Sequence, residues 1–479
     1  MAEMQTPPMD PASANAKLLM QPFPGFTIPF EYEGNEVEST IYRTSAWIGT
    51  ALASSPVVDV VGPDALKFLQ SICVNDFTKL GYTGLRHAVI CNDEGQILTD
   101  GVVIRLEENR YRTYWLNPPI VWLAKNSNMD VVTEDKSGTE FFIQVQGEKS
   151  LEILEDAFQA DLHDIEFAKH RTEDMDGRTV RVIRLGMSGN LAYEIHGDAA
   201  DYSYVYGKVW ESGQKFGAKQ QGQNTYCLYN HTEAGFPNIH IHYPLPWFES
   251  WEGLSEWCYA NPMASNNNIN RVLHGSVGDD LQSRFVTPYD TGMDFLIKFN
   301  HDFIGREALE KIASGEVGHR TVCTLEWNAE DVGKVFAKMC SRNTNIDDIS
   351  RPHDVRYVYN LANDCYEYIA DKVLDADGNQ VGITSGRIRS YSYGTMISMG
   401  FVKSNLVEEG AELKVLWGTP GTDQQEIRVR IAQHPYNKDL VRNEDRDVTD
   451  VPPLGKGRTV EDKSTGAASW EWIKDMHNA

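Results

Sequence analysis

A tyrosine-rich run, a spaced histidine pair and a few isolated polar side chains are the residues of this sequence best suited to chemistry. Tyr226 and Tyr229 lie in Thr225-Tyr226-Cys227-Leu228-Tyr229-Asn230. There a phenol can give or hold a proton, or fill a core with its hydroxyl satisfied. His240 and His242 form an H-x-H pair with His231 nearby, and on a strand the pair would face one side, as metal ligands can. No recognised spacing supplies a third ligand, so the expectation is no metal, with substrate contact or plain hydrogen bonding as the remaining readings. Glu194 offers a carboxylate that can accept two N–H donors at once, or can sit on a solvated strand end. Asp100 reads as an acid–base group or as a turn carboxylate capping backbone N–H groups, and the Gln146 amide can both donate and accept.

The elements that must position these groups alternate between strand and helix. Pro56 to Val61 reads as a buried strand, followed by a helix opened by Gly62-Pro63-Asp64 with Ala65, Phe68, Leu69 and Ile72 on one face. Arg86 to Trp115 reads as an antiparallel meander, and Phe141 to Gln146 as a strand leading into a helix that buries Leu151, Leu154 and Phe158. Thr179 to Leu185 and Leu191 to His196 make a hairpin, and a helix follows over Asp201 to Phe216. Residues 236–290 lack a clean period and read as an elaborated loop region. Beyond the helix near Phe303 to Leu309, strands over Thr321–Trp327, Val381–Ser385, Thr395–Val402, Glu412–Trp417 and Glu426–Ala432 fit a barrel or sandwich. From Arg442 the chain turns polar, as a disordered end or a surface arm.

At 479 residues, about three domains are expected. Lys+Arg number 44 against 69 Asp+Glu, and the resulting net charge of −25 repels phosphate backbones and anionic membranes. Neither nucleic acid nor a membrane is expected as a partner. The seven cysteines are scattered without a C-x-x-C, and neither a secretory leader nor an 18-residue apolar run is found, so a soluble cytoplasmic protein is expected.

Four segments in order, Gly62-Pro63-Asp64-Ala65 with Asn75-Asp76, Tyr193-Glu194-Ile195, Thr232-Glu233-Ala234-Gly235 and Phe303 to Leu309, resemble motifs of the aminomethyltransferase family, founded on the glycine cleavage T-protein. Val381-Gly382-Ile383-Thr384-Ser385-Gly386 is similar to the family's V-G-x-x-T-S-G turn, so the resemblance spans about residues 40–435. It implies an α+β, three-domain cloverleaf of the T-protein type with a C-terminal β-barrel. The implied parts are a discontinuous folate-binding domain over 20–60 and 140–315, a second α+β domain over 61–139, a barrel domain over 316–440 and a polar tail over 441–479. Tetrahydrofolate is the implied cofactor, with contacts from Glu194, Gln146 and Phe236.

Two departures steer the reading within the family. Thr99 replaces the first of the paired aspartates, leaving Asp100 as the single carboxylate there. Where the T-protein has an R-D-x-L-R-L-E-A-G run, this chain has Tyr226 to Gly235 without either arginine and with one residue apparently inserted. A neutral, tyrosine-rich wall suits an uncharged or aromatic substrate better than an aminomethyl-lipoyl arm, so no lipoyl carrier protein is expected. The chain is thus similar to the tetrahydrofolate-dependent O-demethylase branch, which takes methyl groups from methoxylated aromatics such as vanillate and syringate. The implied activity is a methyltransferase of aromatic-compound catabolism that yields methyltetrahydrofolate and a phenol. The alternatives are a sulfonium or amine demethylase of the same fold and a non-catalytic folate-binding protein. Tyr226 and Asp100 are the catalytic candidates, with Tyr229 a rival to Tyr226 because of the insertion. His231, His240, His242 and Ser54 are the substrate-contact candidates, Ser54 standing where vanillate-type enzymes carry a histidine.

Overall fold

The computed structural model describes residues 11–23, 26–53, 55–239, 241–260, 271–352, 357–360 and 363–454; Ser54 and His240 lie outside them. A six-stranded sheet runs in the order His170–Met175, Arg178–Ile183, Ala192–Asp198, Glu140–Gln146, Trp47–Gly49, Lys219–Gln221, antiparallel except for the last pair. Strand side chains alternate between faces. Ile48, Ile143, Val145, Tyr193 and Ile195 therefore pack into one core with the helices Ser150–Phe158 and Tyr202–Lys215. The other face carries Gln144 directly opposite Glu194, and Gln146 opposite Ala192 and Trp47. One pleated surface thus buries apolar side chains behind and presents polar ones in front.

A second, five-stranded antiparallel sheet runs Leu85–Cys91, Ile97–Glu107, Arg110–Tyr114, Val57–Val61, Val132–Asp135. The helix Ala65–Ile72 buries Ala65, Phe68, Leu69 and Ile72 against it, the four residues spaced for one helical face. The stretch without a clean period contains short helices at Trp247–Ser250 and Glu252–Ala260 and a strand at Arg271–His274. Its Tyr243, Leu245, Trp247, Leu254 and Val286 join the core of this second sheet.

The C-terminal strands close into a six-stranded barrel, Arg320–Trp327, Thr395–Lys403, Gln380–Ser390, Asp371–Leu374, Glu412–Trp417, Gln425–Ala432, which removes the free edges a sandwich would leave. After the barrel the chain returns along the first sheet as an arm. The buried Arg184 guanidinium donates to Asn443 O at 2.8 Å and to Asn443 Oδ1 at 3.2 Å, and Val448 and Val451 enter the first sheet's core. Among the described residues no helix is long and apolar enough to cross a membrane.

The parts meet at Glu233. Its fully buried carboxylate accepts from Ser390 Oγ in the barrel at 2.5 Å and from Tyr42 Oη ahead of the first sheet at 3.1 Å. Its backbone carbonyl accepts from the N–H groups of Tyr436 and Asn437, where the arm begins. Removing the carboxylate leaves two buried hydroxyls without their acceptor, each costing about 1–3 kcal/mol. We expect Glu233→Ala to lower unfolding free energy by about 2–5 kcal/mol in urea titration. Wild-type stability would show that the three parts are held otherwise.

Candidate active site

Tyr226 is brought to the polar face of the first sheet by an unusual turn. Thr225–Asn230 winds as a π-helix and continues as the α-helix His231–Ala234. A π turn is how a helix takes up an extra residue, and such turns gather at functional sites. The wider turn also separates Tyr226 from Tyr229, which as i and i+3 in an α-helix would share a face. Tyr226 meets Trp47 edge-on at 6.0 Å and His231 at 5.4 Å, whereas Tyr229 stacks on Tyr391 of the barrel at 6.1 Å. Of the two, Tyr226 is the one on which the Glu194 charge acts.

Around Tyr226 the polar face supplies Glu194 and Gln144. Burial, and next the Glu194 charge, hold the Tyr226 hydroxyl well above its usual range, with the Gln144 side chain acting weakly the other way. The phenol therefore stays protonated at neutral pH. Glu194 receives His196 Nε2 at 3.3 Å on one carboxylate oxygen, and Gln144 Oε1 is buried with no partner among the described residues. Gln146, one pleat along, donates instead to Asn190 Oδ1 at 3.1 Å, and Asn190 in turn donates to Tyr42 O. Its amide is engaged in joining segments of the fold. Gln144 was legible by the two-residue strand period that puts it on the face of Gln146.

The helix carrying Tyr226 leads on to a second group of polar side chains. His231 Nδ1–H donates to Phe236 O at 2.9 Å, and its Nε2 is buried with no partner among the described residues. Burial lowers its pKa to about 4, so the ring is neutral and Nε2 is an acceptor. Phe236 packs between the rings of His231, at 6.0 Å, and His87, at 5.5 Å. His87 Nε2 is 2.8 Å from Asp100 Oδ2, and Tyr243 Oη donates to Asp100 Oδ1 at 3.1 Å. Thr99 is turned to a structural use, donating to Trp115 O. His87 and Tyr243 were missed from sequence, since nothing local to either marks a partner that only the sheet register and the loop packing bring near.

His242 belongs to the scaffold. Its Nδ1 accepts from the Asn238 N–H at 2.9 Å, and its Nε2 lies 3.1 Å from Thr232 Oγ1, which itself donates to Gly386 O. Nε2–H must then be the donor, so both ring nitrogens are engaged and neither is left for a metal or a substrate. Gly386, at φ +62°, lies so close that a Cβ would stand 2.3 Å from His242 Nε2, which explains the glycine ending the V-G-x-x-T-S-G turn. The cluster of metal-ligating side chains found among the described residues, Glu155, Asp161 and His163, lies elsewhere on the first sheet's helical side.

Known proteins agree with this architecture. A relative from Sinomonas sp., a sesamin methylene transferase, is 49% identical over 92% of this chain and 96% of its own. The chain belongs to the aminomethyltransferase family. The family's GCVT N-terminal domain matches residues 12–240. A syringate O-demethylase from Sphingobium sp. is 28% identical over 86% of this chain and 92% of its own. The glycine cleavage system aminomethyltransferase T of Bartonella henselae superposes with a TM-score of 0.61 at 17% identity, covering 88% of this chain and 94% of that one, and so confirms the fold. The protein is an enzyme of one-carbon transfer that uses tetrahydrofolate. The site residues fit such a cofactor, because the Glu194 carboxylate, the orphaned Gln144 Oε1 and the orphaned His231 Nε2 are acceptors, and a pterin edge offers an amino group beside a ring N–H.

Burial of neutral histidines sets an acid limit. Desolvation lowers His231 and His434 to about 4 and His242 to about 3, below the ordinary value near 6.5 of an unfolded chain. Between those values the unfolded chain binds more protons, so stability falls as pH drops from about 6.5 toward 4. Calorimetric melting from pH 7 down to pH 5 should show a progressively lower Tm, and a Tm independent of pH over that range would contradict these burials.

Proposed function

We propose that the enzyme takes a one-carbon unit from an ether oxygen of an uncharged aromatic compound, passes it to tetrahydrofolate and releases a phenol. The observation that carries this reading is Tyr226, a phenol kept protonated by burial and by the Glu194 charge and packed edge-on against Trp47 and His231. Breaking an aryl ether leaves charge on oxygen, and a positioned O–H that meets the departing oxygen mainly in the transition state lowers that barrier. Glu194 and Gln144 would grip the pterin edge, with Phe236 and Trp47 as apolar walls. Tetrahydrofolate supplies the amine nitrogen that accepts the carbon.

The charges acting on Tyr226 and His231 are those of the carboxylates Glu194 and Asp100. An anionic aromatic acid would be repelled there, whereas a neutral ring is not. The 49% identical relative is named for methylene transfer from sesamin, and that name favours a methylene-bridged aromatic diether as the substrate. Such a carbon already has the oxidation level of formaldehyde, so its transfer needs no redox partner. A methoxylated aromatic, as in the syringate relative, is the second reading, and it would give methyltetrahydrofolate instead.

Purified protein with tetrahydrofolate and a neutral methylenedioxyphenyl compound should yield a catechol and methylenetetrahydrofolate in equal amounts. Methoxybenzoates should turn over far more slowly. Tyr226→Phe should reduce kcat about a hundredfold or more with little change in KM, whereas Tyr229→Phe should act mainly on stability. Release of no phenol from any aryl ether would reject the proposal, and a larger kinetic effect of Tyr229→Phe would move the acid.

A further inference from the structure

The polar group opposite Tyr226 contains an arrangement that no proton donor explains. Asp100 stands on the strand Ile97–Glu107 and His87 on Leu85–Cys91. Register pairs His87 with Val102, which puts Asp100 two residues along on the same face. Asp100 Oδ2 takes His87 Nε2 at 2.8 Å, while Asp100 Oδ1 is fixed by the Tyr243 hydroxyl at 3.1 Å. Because a carboxylate only accepts, Nε2 carries the hydrogen, and in the neutral ring the lone pair lies on Nδ1. The two side chains remain partly open, at 19% for His87 and 13% for Asp100, while Tyr243 behind them is closed off. The ring packs on Phe236, which packs on His231, which packs on Tyr226. An imidazole aligned by a carboxylate, with no hydrogen-bond partner for its second nitrogen among the described residues, is the arrangement of an oriented base.

We propose that His87 is the proton acceptor of this site, presented through Nδ1 by the Asp100–Tyr243 pair. This rests on the aryl-ether reading above and assigns its missing half. When an amine nitrogen bonds to the ether carbon, the carbon–oxygen bond breaks with its electron pair on oxygen, and the nitrogen must lose its proton. His87 Nδ1 takes that proton while Tyr226 gives its own to the departing oxygen. Exchange through solvent resets both, so each ether cleavage replaces one N–H and one C–O bond by one N–C and one O–H bond, and a methylene bridge takes two such cleavages, one for each oxygen released and each nitrogen joined. Asp100 is in this account a positioning residue for the imidazole, with Tyr243 fixing the carboxylate. The titratable groups around His87 are Asp100 on the adjacent strand, Tyr243 behind it and His231 beyond Phe236.

Two measurements decide it. The first is the imidazole ¹⁵N spectrum of the whole protein, with the His87 signal identified by its loss in His87→Gln. It should show the Nε2–H tautomer near neutral pH, a shift of the Nδ1 resonance on adding tetrahydrofolate, and loss of the tautomer preference in Asp100→Asn. The second is kinetic. His87→Gln should bind tetrahydrofolate within about threefold of wild type by calorimetry, yet lose about a hundredfold or more in kcat and lose the acidic limb of its pH profile. The double variant His87→Gln/Asp100→Asn should be no slower than its worse parent, since the pair acts as a unit. An Nδ1–H tautomer, an Nδ1 resonance indifferent to tetrahydrofolate, or His87→Gln with wild-type kcat and pH profile would each overturn the proposal. Should wild type release no phenol from any aryl ether, the functional reading falls, and the spectra alone decide whether Nδ1 faces the cofactor.

Discussion

One buried carboxylate holds the geometry together. Burial raises the pKa of Glu233, a cost met by hydroxyl donors from two separate parts of the chain, Tyr42 and Ser390. The same residue lies in the short helix that follows the π turn carrying Tyr226, and its carbonyl receives the first residues of the C-terminal arm. Moving Glu233 would therefore shift the phenol relative to the polar face of the first sheet. The T-E-A-G motif acts through this tie, as a clamp that sets where the helix carrying Tyr226 ends. Arg43 adds to it from outside, pairing with Asp439 at 2.6 Å and lying over the Tyr393 ring at 4.8 Å.

The site's electrical character follows from what is buried near it. His231 is kept neutral and Tyr226 protonated by desolvation, so the formal charges acting on them are carboxylates. In a family whose T-protein members resemble this run but carry arginines on it, the change to Tyr226-Cys227-Leu228-Tyr229-Asn230 removes two cationic side chains, which on the proposed reading suits a neutral ring. On the proposed reading acid and base lie on different sheets, Tyr226 against the first and His87 on the second, bridged by His231 and Phe236. A reaction that protonates one atom and deprotonates another suits that separation.

Much of this was readable from the residue pattern. The two-residue period of Phe141–Gln146 and the helical spacing of Ala65, Phe68, Leu69 and Ile72 place the first two sheets, and Glu194 stands directly opposite Gln144 on the polar face. The helix Ala329–Met339 was left unread although Asn328 caps it and Val332 and Val335 face the barrel core. The choice between Tyr226 and Tyr229 was not legible, because it depends on a π turn, and no side-chain propensity announces one. Nor was the fate of His242, whose partners Thr232 and Gly386 are brought together by barrel packing across 154 positions of sequence. Of the tail, residues 441–454 proved to be the surface arm, held by Arg184 and two buried valines that a polar composition conceals.

The account stands on Glu194 as the group that grips the cofactor, and calorimetric titration of tetrahydrofolate into wild type and Glu194→Gln tests it most directly. Glutamine keeps the size and one carbonyl acceptor but loses the charge and the second acceptor oxygen. The structure predicts binding weaker by at least about thirtyfold, the equivalent of roughly 2 kcal/mol or more for a broken charged pair, with the melting temperature little changed. Equal affinity in the two proteins would contradict the placement of the cofactor on this face of the sheet.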